Sequence, residues 1–214
     1  MVAGFLRSSP NNVILNVAGT EFLRLRAGRL LDIGCGAGRN AVPLASLGWD
    51  VLGTDLSWPM LHAAADRVAA PGAVGRLRLV LASMDSLPVA SGSVDFIVAH
   101  GIWNLAPSGA TFRRAVAEAA RVARPGAALF VFTFSRHTLG PEAEPASGER
   151  FVFTQFSGDP QCFLTDEELV AELQAAGFDL EPGTSLREYN RPQPDAVIRG
   201  TAPVIYEGVF RRRL

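Results

Sequence analysis

Six residues stand out for what they could do together. Gly34, Gly36 and Gly38 alternate in LLDIGCGAGRN, residues 30 to 40, with Asp32 just ahead of them, and Asp55 follows about 20 residues later in VLGTDLS. Glycines at a strand-to-helix turn let backbone amides and a helix N-terminus lie against a ligand. A carboxylate at the tip of the next strand can accept both hydroxyls of a ribose, although capping the following helix is its other use. Position 39, where the dinucleotide fingerprint GxGxxG needs its last glycine, is Arg39. The DxGxGxG spacing suits a nucleoside with an amino-acid tail better than a pyrophosphate. The sixth residue is His100, at the end of the apolar run FIVAH, and open sheets bind ligands at that end of a strand.

Other reactive side chains read more plainly. Cys35 lies inside the glycine loop as a small space-filling residue, and Cys162 is remote from it, so neither a disulfide framework nor a zinc site is expected. His62, His100 and His137 show no metal-binding spacing. Net charge is −1, which gives no reason to expect a nucleic acid or a membrane as partner. The run Arg211-Arg212-Arg213 reads as a solvated chain end. No apolar stretch approaches a membrane span and the N-terminus lacks a signal core, so a reducing cytoplasm is expected.

The elements that must position these residues follow from periodicity. A helix over 13–26, capped by Asn11 or Asn12, precedes a buried strand at 29–33 and a helix at 38–47. Strand 50–54 leads through Ser57 and Pro59 into a helix that Pro71-Gly72 stops. Strands at 77–82, 94–99 and 128–134 follow, the last two separated by a helix at 111–123 and a turn at Pro125-Gly126. Residues 137–148 read as a loop. Thr165 to Glu168 forms a capping box for a helix ending at Gly177. Strands 178–181 and 202–210, joined by Pro182 to Gly200, should be antiparallel neighbours. Alternating strands and helices imply right-handed βαβ units and a parallel sheet covered on both faces. The 214 residues then form a single α/β domain, with 1–28 as an N-terminal helical segment and 135–163 as a loop or lid.

Five segments in order, LLDIGCGAGRN, VLGTDLS, LPVASGSVDFIVAHGIWNL, RVARPGAALFVF and FLTDEELVAELQAAGF, make the chain similar to the class I S-adenosylmethionine (SAM)-dependent methyltransferases of the small bacterial type. The resemblance covers nearly everything from Leu30 onward. It implies a Rossmann-like three-layer sandwich with a seven-stranded sheet in the order 3-2-1-4-5-7-6, strand 7 antiparallel. It implies SAM as cofactor, with S-adenosyl-L-homocysteine as product. Asp32, Gly34, Cys35, Gly36 and Gly38 would line its methionine part, Asp55 its ribose, and Leu56 its adenine. Ser83 and Met84 would flank the adenine. The family often has an aspartate at position 83; here Asp85 substitutes for it, or backbone atoms do the reading. His100 and Gly101 would pass beside the sulfonium.

Methyl transfer needs an acceptor atom held about 3 Å from the methyl, in line and away from water, and a base if the acceptor's pKa is high. His100 and then His137 are the candidate catalytic bases, with Tyr189 and Tyr206 behind them, while Trp103 and Asn104 would wall the acceptor site. Residues 104–107 are Asn-Leu-Ala-Pro rather than the Asn/Asp-Pro-Pro-aromatic motif of DNA-base enzymes. A small molecule is the expected acceptor, and the protein a monomer or homodimer. The competing readings are an NAD(P)-binding oxidoreductase and a non-catalytic SAM-binding module.

Overall fold

A computed structural model describes residues 8–69, 76–191 and 202–214. Its main sheet holds eight strands: β1 (Arg29–Ile33), β2 (Asp50–Asp55), β3 (Arg76–Leu81), β4 (Val94–His100), β5 (Ala123–Phe134), β8 (Phe178–Leu180), β9 (Arg187–Tyr189) and β10 (Ile205–Arg212). The order is β3-β2-β1-β4-β5-β10-β8, with β9 also paired to β10. Strands β1 to β5 run parallel, and β10 is antiparallel to β5, β8 and β9. This is the expected 3-2-1-4-5-7-6 order, read with β10 as seventh strand and β8 as sixth.

The departures concern the outer edge, the lid and the start of one strand. The connection at 182–200 carries no strand signal in sequence, yet Arg187–Tyr189 pairs with β10 beside β8 along the same edge. Glu181 still donates to Val209 O at 2.9 Å, and residues 182–186 form the connection between the two short strands. Within the expected lid, β6 (Val152–Phe153) and β7 (Gln161–Cys162) form a small antiparallel hairpin. Strand β5 also starts earlier than expected, because the Pro125-Gly126 turn is absorbed as a register shift against β4. The Pro71-Gly72 helix stop lies outside the described residues.

Helices cover both faces. On one, α1 (Asn12–Leu25) and α2 (Ala41–Ser46) bury Ile14, Ala18, Ala41 and Leu44 against Leu30, Val51, Phe96, Val98 and Phe130. α3 (Trp58–Ala69) joins this layer through Leu61. On the other, α4 (Gly109–Val122) and α5 (Asp166–Ala175) pack Phe112, Val116, Leu169 and Leu173 against Leu31, Ile97, Leu129 and Phe210. The strands alternate between these clusters, as residues buried on both faces of a sheet must.

The caps are those the sequence implies. The Asn11 side chain accepts from Val13 and Ile14, and Arg26, at φ 63°, ends α1 two residues before Gly28. Thr165 and Glu168 form the reciprocal capping box of α5, worth about 1 kcal/mol. The arginine run is not solvated throughout. Arg211 is half-buried, bonded to Glu21 at 2.8 Å and Glu181 at 2.6 Å, and Arg212 belongs to β10 and donates to Gly177 O. Arg211 and Arg212 are thus committed to the fold rather than to a phosphate backbone.

Candidate active site

The glycine loop is tied to the tip of β2. Gly34 and Cys35 donate to Thr54 O at 2.8 and 2.9 Å, and Gly36 N donates to Asp55 Oδ2 at 2.8 Å. Asp55 Oδ1 accepts from Ser57 N at 2.8 Å, opening α3. Asp55 therefore holds the loop and the next helix start at once, which accounts for its place at the strand tip even without a ligand. Gly34 has φ +71°, and a Cβ there would come within 2.7 Å of Ile102. Gly36 has φ +53° with open space where a Cβ would stand, so the backbone is bare on that side.

Asp32 is 1% exposed, and its Oδ2 has no hydrogen-bond partner. Burial pushes its pKa up to about 7, with Arg39 pulling the other way and Asp55 adding to the rise. Arg39 is itself held slightly below its ordinary value by burial. Among the described residues no carboxylate lies within ion-pairing distance of it; its NH2 instead sits 3.1 Å from Nδ1 and 3.2 Å from Nε2 of His100. A point so nearly equidistant from both ring nitrogens cannot lie in the ring plane without overlapping Cε1. The guanidinium thus lies over one imidazole face, leaving Phe132, stacked at 4.1 Å and 9°, the other.

His100 accordingly makes a poor base. Burial and then Arg39 lower its pKa to about 4, so it is neutral near pH 7 and takes up a proton reluctantly. From it a polar chain runs outward. Asn11 Nδ2 lies 3.4 Å from His100 Nε2 and donates to Glu207 Oε2 at 3.0 Å, and Tyr189 donates to Glu207 Oε1 at 2.9 Å. The Asn11 backbone N–H reaches Asn40 Oδ1 at 3.0 Å. One residue thus joins the N-terminal segment, the glycine loop and β10. Of the other cations in the N-terminal segment, Arg24 pairs with Glu21 and Arg26 ends α1.

His137 stands in a contrasting setting. Its Nδ1 lies 2.5 Å from Glu188 Oε1, and its Nε2 lies 3.3 Å from Arg191 NH2. A carboxylate only accepts and a guanidinium only donates. Nδ1 therefore carries the hydrogen and Nε2 the lone pair. Ser135, fully buried at the end of β5, donates to Glu188 Oε1 at 2.9 Å, and Tyr206 Oη lies 3.5 Å from Nδ1. Burial raises the Glu188 pKa, but its bonds to His137 and Ser135 and the charge of Arg191 leave it below the usual value. Sequence reasoning missed Glu188, since nothing in REYNR marks it before β9 is placed against β10.

The remaining candidates fall as follows. Leu56 is 69% exposed beside Asp55. Ser83 donates to Asp85, which also meets Arg114 at 3.2 Å, so the Asp85 carboxylate already has partners. Gly101, at φ +68°, has open space at its Cβ position and donates to Phe132 O at 2.7 Å. Met84 packs partly buried on the α4 side of the core. Trp103 and Asn104 are buried in a 3₁₀ turn after β4, and Trp103 Nε1 and Asn104 Oδ1 lack partners. Cys35 is buried against Gly53, where a Cβ would meet its sulfur at 2.8 Å, and burial raises its thiol pKa first of all. That suits a space-filler and not a nucleophile. Among the described residues, no group of His, Cys, Asp or Glu is arranged to hold a metal.

Comparison with known proteins agrees with the fold. Residues 31–131 match the family model described as "Methyltransferase domain". The chain is 40% identical over 117 residues to a ubiquinone/menaquinone biosynthesis C-methyltransferase of Syntrophotalea carbinolica, covering 52% of this chain and 46% of that protein. It is 32% identical over 180 residues to the methyltransferase GfsG of Streptomyces halstedii, covering 83% and 63%. The chain thus spans less than two thirds of either relative. Among solved structures, a SAM-dependent methyltransferase of Methanosarcina mazei superposes with a TM-score of 0.69 at 22% identity, covering 88% of this chain and 93% of that one.

Proposed function

Because the chain belongs to the class I SAM-dependent methyltransferase family, we propose that it transfers a methyl group from SAM to a small-molecule acceptor. When bound, SAM supplies an electrophilic methyl on a sulfonium whose leaving group is a neutral thioether. The residues present fit this cofactor. The observation that carries the reading is a pair of ionisable groups flanking the glycine loop without a bonded counter-charge: Asp32, with an unpartnered oxygen, and Arg39, with no carboxylate in ion-pairing distance among the described residues. An α-amino acid carries both complementary charges, its ammonium for Asp32 and its carboxylate for Arg39.

The rest of the cofactor site follows the β-strand tips. Gly34, Cys35, Gly36 and Gly38 offer bare backbone to the methionine part. Asp55 keeps lone pairs beyond its two backbone bonds for the ribose hydroxyls. Leu56 offers an apolar platform for adenine, with Ser83, Met84 and Asp85 at its rim. His100, held neutral, and Gly101 line the path of the reacting methyl without taking a proton. The small acceptor meets this site from the side of residues 135–163. One domain across the chain, and a cytoplasmic location in keeping with two free buried cysteines, complete the reading.

Calorimetry tests it directly. SAM and S-adenosylhomocysteine should bind and NAD should not, and Asp55→Asn should weaken SAM by about tenfold or more. Binding of NAD in preference to SAM would end the proposal. Incubation with SAM and a metabolite extract, read by mass spectrometry for gain of one CH2, would identify the acceptor.

A further inference from the structure

The two candidate histidines leave the sheet on opposite faces. Partners across a ladder share a face and neighbours along a strand alternate. His100 pairs with Phe132, and Phe132 with Glu207, so these three share one face with Asp32, whose partner Val98 is two residues before His100. Thr133, Tyr206 and Glu188 pair in sequence on the other face. Ser135, two residues past Thr133, shares that face and ties Glu188 to the end of β5. In-line displacement places the leaving sulfur and the incoming nucleophile on opposite sides of the carbon. A cofactor held from one face of the edge and an acceptor held from the other meet that requirement.

We propose that His137, oriented by Glu188, receives the proton of the acceptor, and that the acceptor is a phenol or enol on a planar, largely apolar body. This rests on the methyltransferase reading above. The tautomer already suits this role, with Nδ1–H tied to Glu188 and the Nε2 lone pair pointing to Arg191. As an acceptor O–H bond breaks, its proton goes to Nε2 and its electron pair stays on oxygen, where Arg191 supplies a positive charge. Glu188 balances the imidazolium that forms, as a carboxylate behind a catalytic histidine does.

The hydroxyl class follows from matching acidities. A phenol ionises near 10, a few units above imidazole at about 6.5, a gap that one guanidinium can narrow. An aliphatic alcohol lies much too high for that, and Arg191 repels a cationic amine. The groups facing His137 are Glu188 and Arg191 from the β9 side, Tyr206 from β10 and Ser135 from β5; Asp166 of α5 acts on Tyr206.

Exposed apolar side chains point to a flat, largely apolar acceptor body. Phe134 packs edge-on to Phe156 at 5.5 Å, and Phe156 stays 40% exposed, as does Leu105 after β4 at 49%.

The test uses the protein loaded with S-adenosylhomocysteine, which removes turnover from the readout, and 4-nitrophenol as probe. Absorbance of the nitrophenolate is followed against pH. Bound nitrophenol should ionise at least one pH unit below the free compound. His137→Gln should abolish the shift, Glu188→Gln should reduce it, and Glu188→Asp should restore part of it, each variant being checked by thermal melting. Should either Gln variant fail to fold, Glu188→Asp and Arg191→Met carry the test, the latter reducing the shift. An unshifted ionisation, an equal shift in the folded variants, or no nitrophenol binding would overturn the inference while leaving the cofactor reading intact. Failure of S-adenosylhomocysteine itself to bind would instead overturn that reading.

Discussion

Two histidines lie near one end of one sheet, and their neighbours give them opposite characters. His100 is sandwiched between Phe132 and the guanidinium of Arg39, and both burial and charge hold it neutral. His137 is half-exposed, with the Glu188 carboxylate at its Nδ1 and the Arg191 guanidinium at its Nε2. Residue type alone therefore says little about proton chemistry. What separates the two rings is burial, and the carboxylate that only His137 has at one of its nitrogens.

The largest effect should come from the base. His137→Gln should lower turnover of the acceptor about 100- to 10,000-fold while donor affinity measured by calorimetry stays near wild type. Loss of donor affinity in proportion would erase the distinction between the two sites.

Next in size, Arg39→Met should raise the SAM dissociation constant about 10- to 100-fold. The decarboxylated analogue of SAM should bind both proteins alike. His100, observed by NMR titration, should climb part of the way from about 4 toward 6.5, since burial remains. An equal loss for both ligands would mean that Arg39 only shapes the loop.

Stability against pH sharpens the contrast without any ligand. His100 falls from 6.5 unfolded to about 4 folded. Its contribution is complete above pH 6.5 and is lost as pH falls through about 4. Asp32 rises from 3.8 to about 7, so its contribution is complete below pH 3.8 and is lost as pH rises through about 7. The two slopes oppose each other between pH 4 and 6.5. Urea unfolding of His100→Phe should show stability falling more steeply with pH across that window than in wild type. Asp32→Asn should show it rising more steeply. Unchanged slopes in both would remove the electrostatic account of this pair.

The smallest effect calibrates the rest. Arg213 pairs with Asp179 at 2.7 Å, with both side chains near half exposed. Solvent screens such a pair, and Arg213→Ala should leave the melting temperature unchanged within error. A drop comparable to that of Glu188→Gln would mean that the Glu188 cluster is no more than another surface contact.

The parallel core was legible because its signals are local. Apolar runs, the alternating glycines and the Thr165 capping box each act within a few residues. The glycine loop and the place of Asp55 were legible for the same reason. The neutrality of His100 was not, because it depends on burial at the sheet's end and then on Arg39, 61 residues away, lying over the ring. Arg39 itself reads in sequence only as a missing glycine. Glu188 is hidden in a stretch with no strand signal, and it gains meaning only when β9 pairs with β10 and meets His137, 51 residues earlier. The arginine run misleads because charge pattern alone suggests solvent. Glu21, 190 residues away, is what makes Arg211 a half-buried partner.

The interrupted strand beside β10 has a consequence for how molecules of this protein meet. A continuous outer strand offers an unbroken row of amides and carbonyls on which a neighbour's strand can grow. Here the strand ends at Leu180, with one more bond from Glu181 N to Val209 O at 2.9 Å, and pairing resumes only at Arg187, residues 182–186 looping out of the ladder. A stranger's strand would find three rungs, a gap and three more. The rim is thereby protected from runaway stacking at high concentration, while β9 still holds Glu188 against His137.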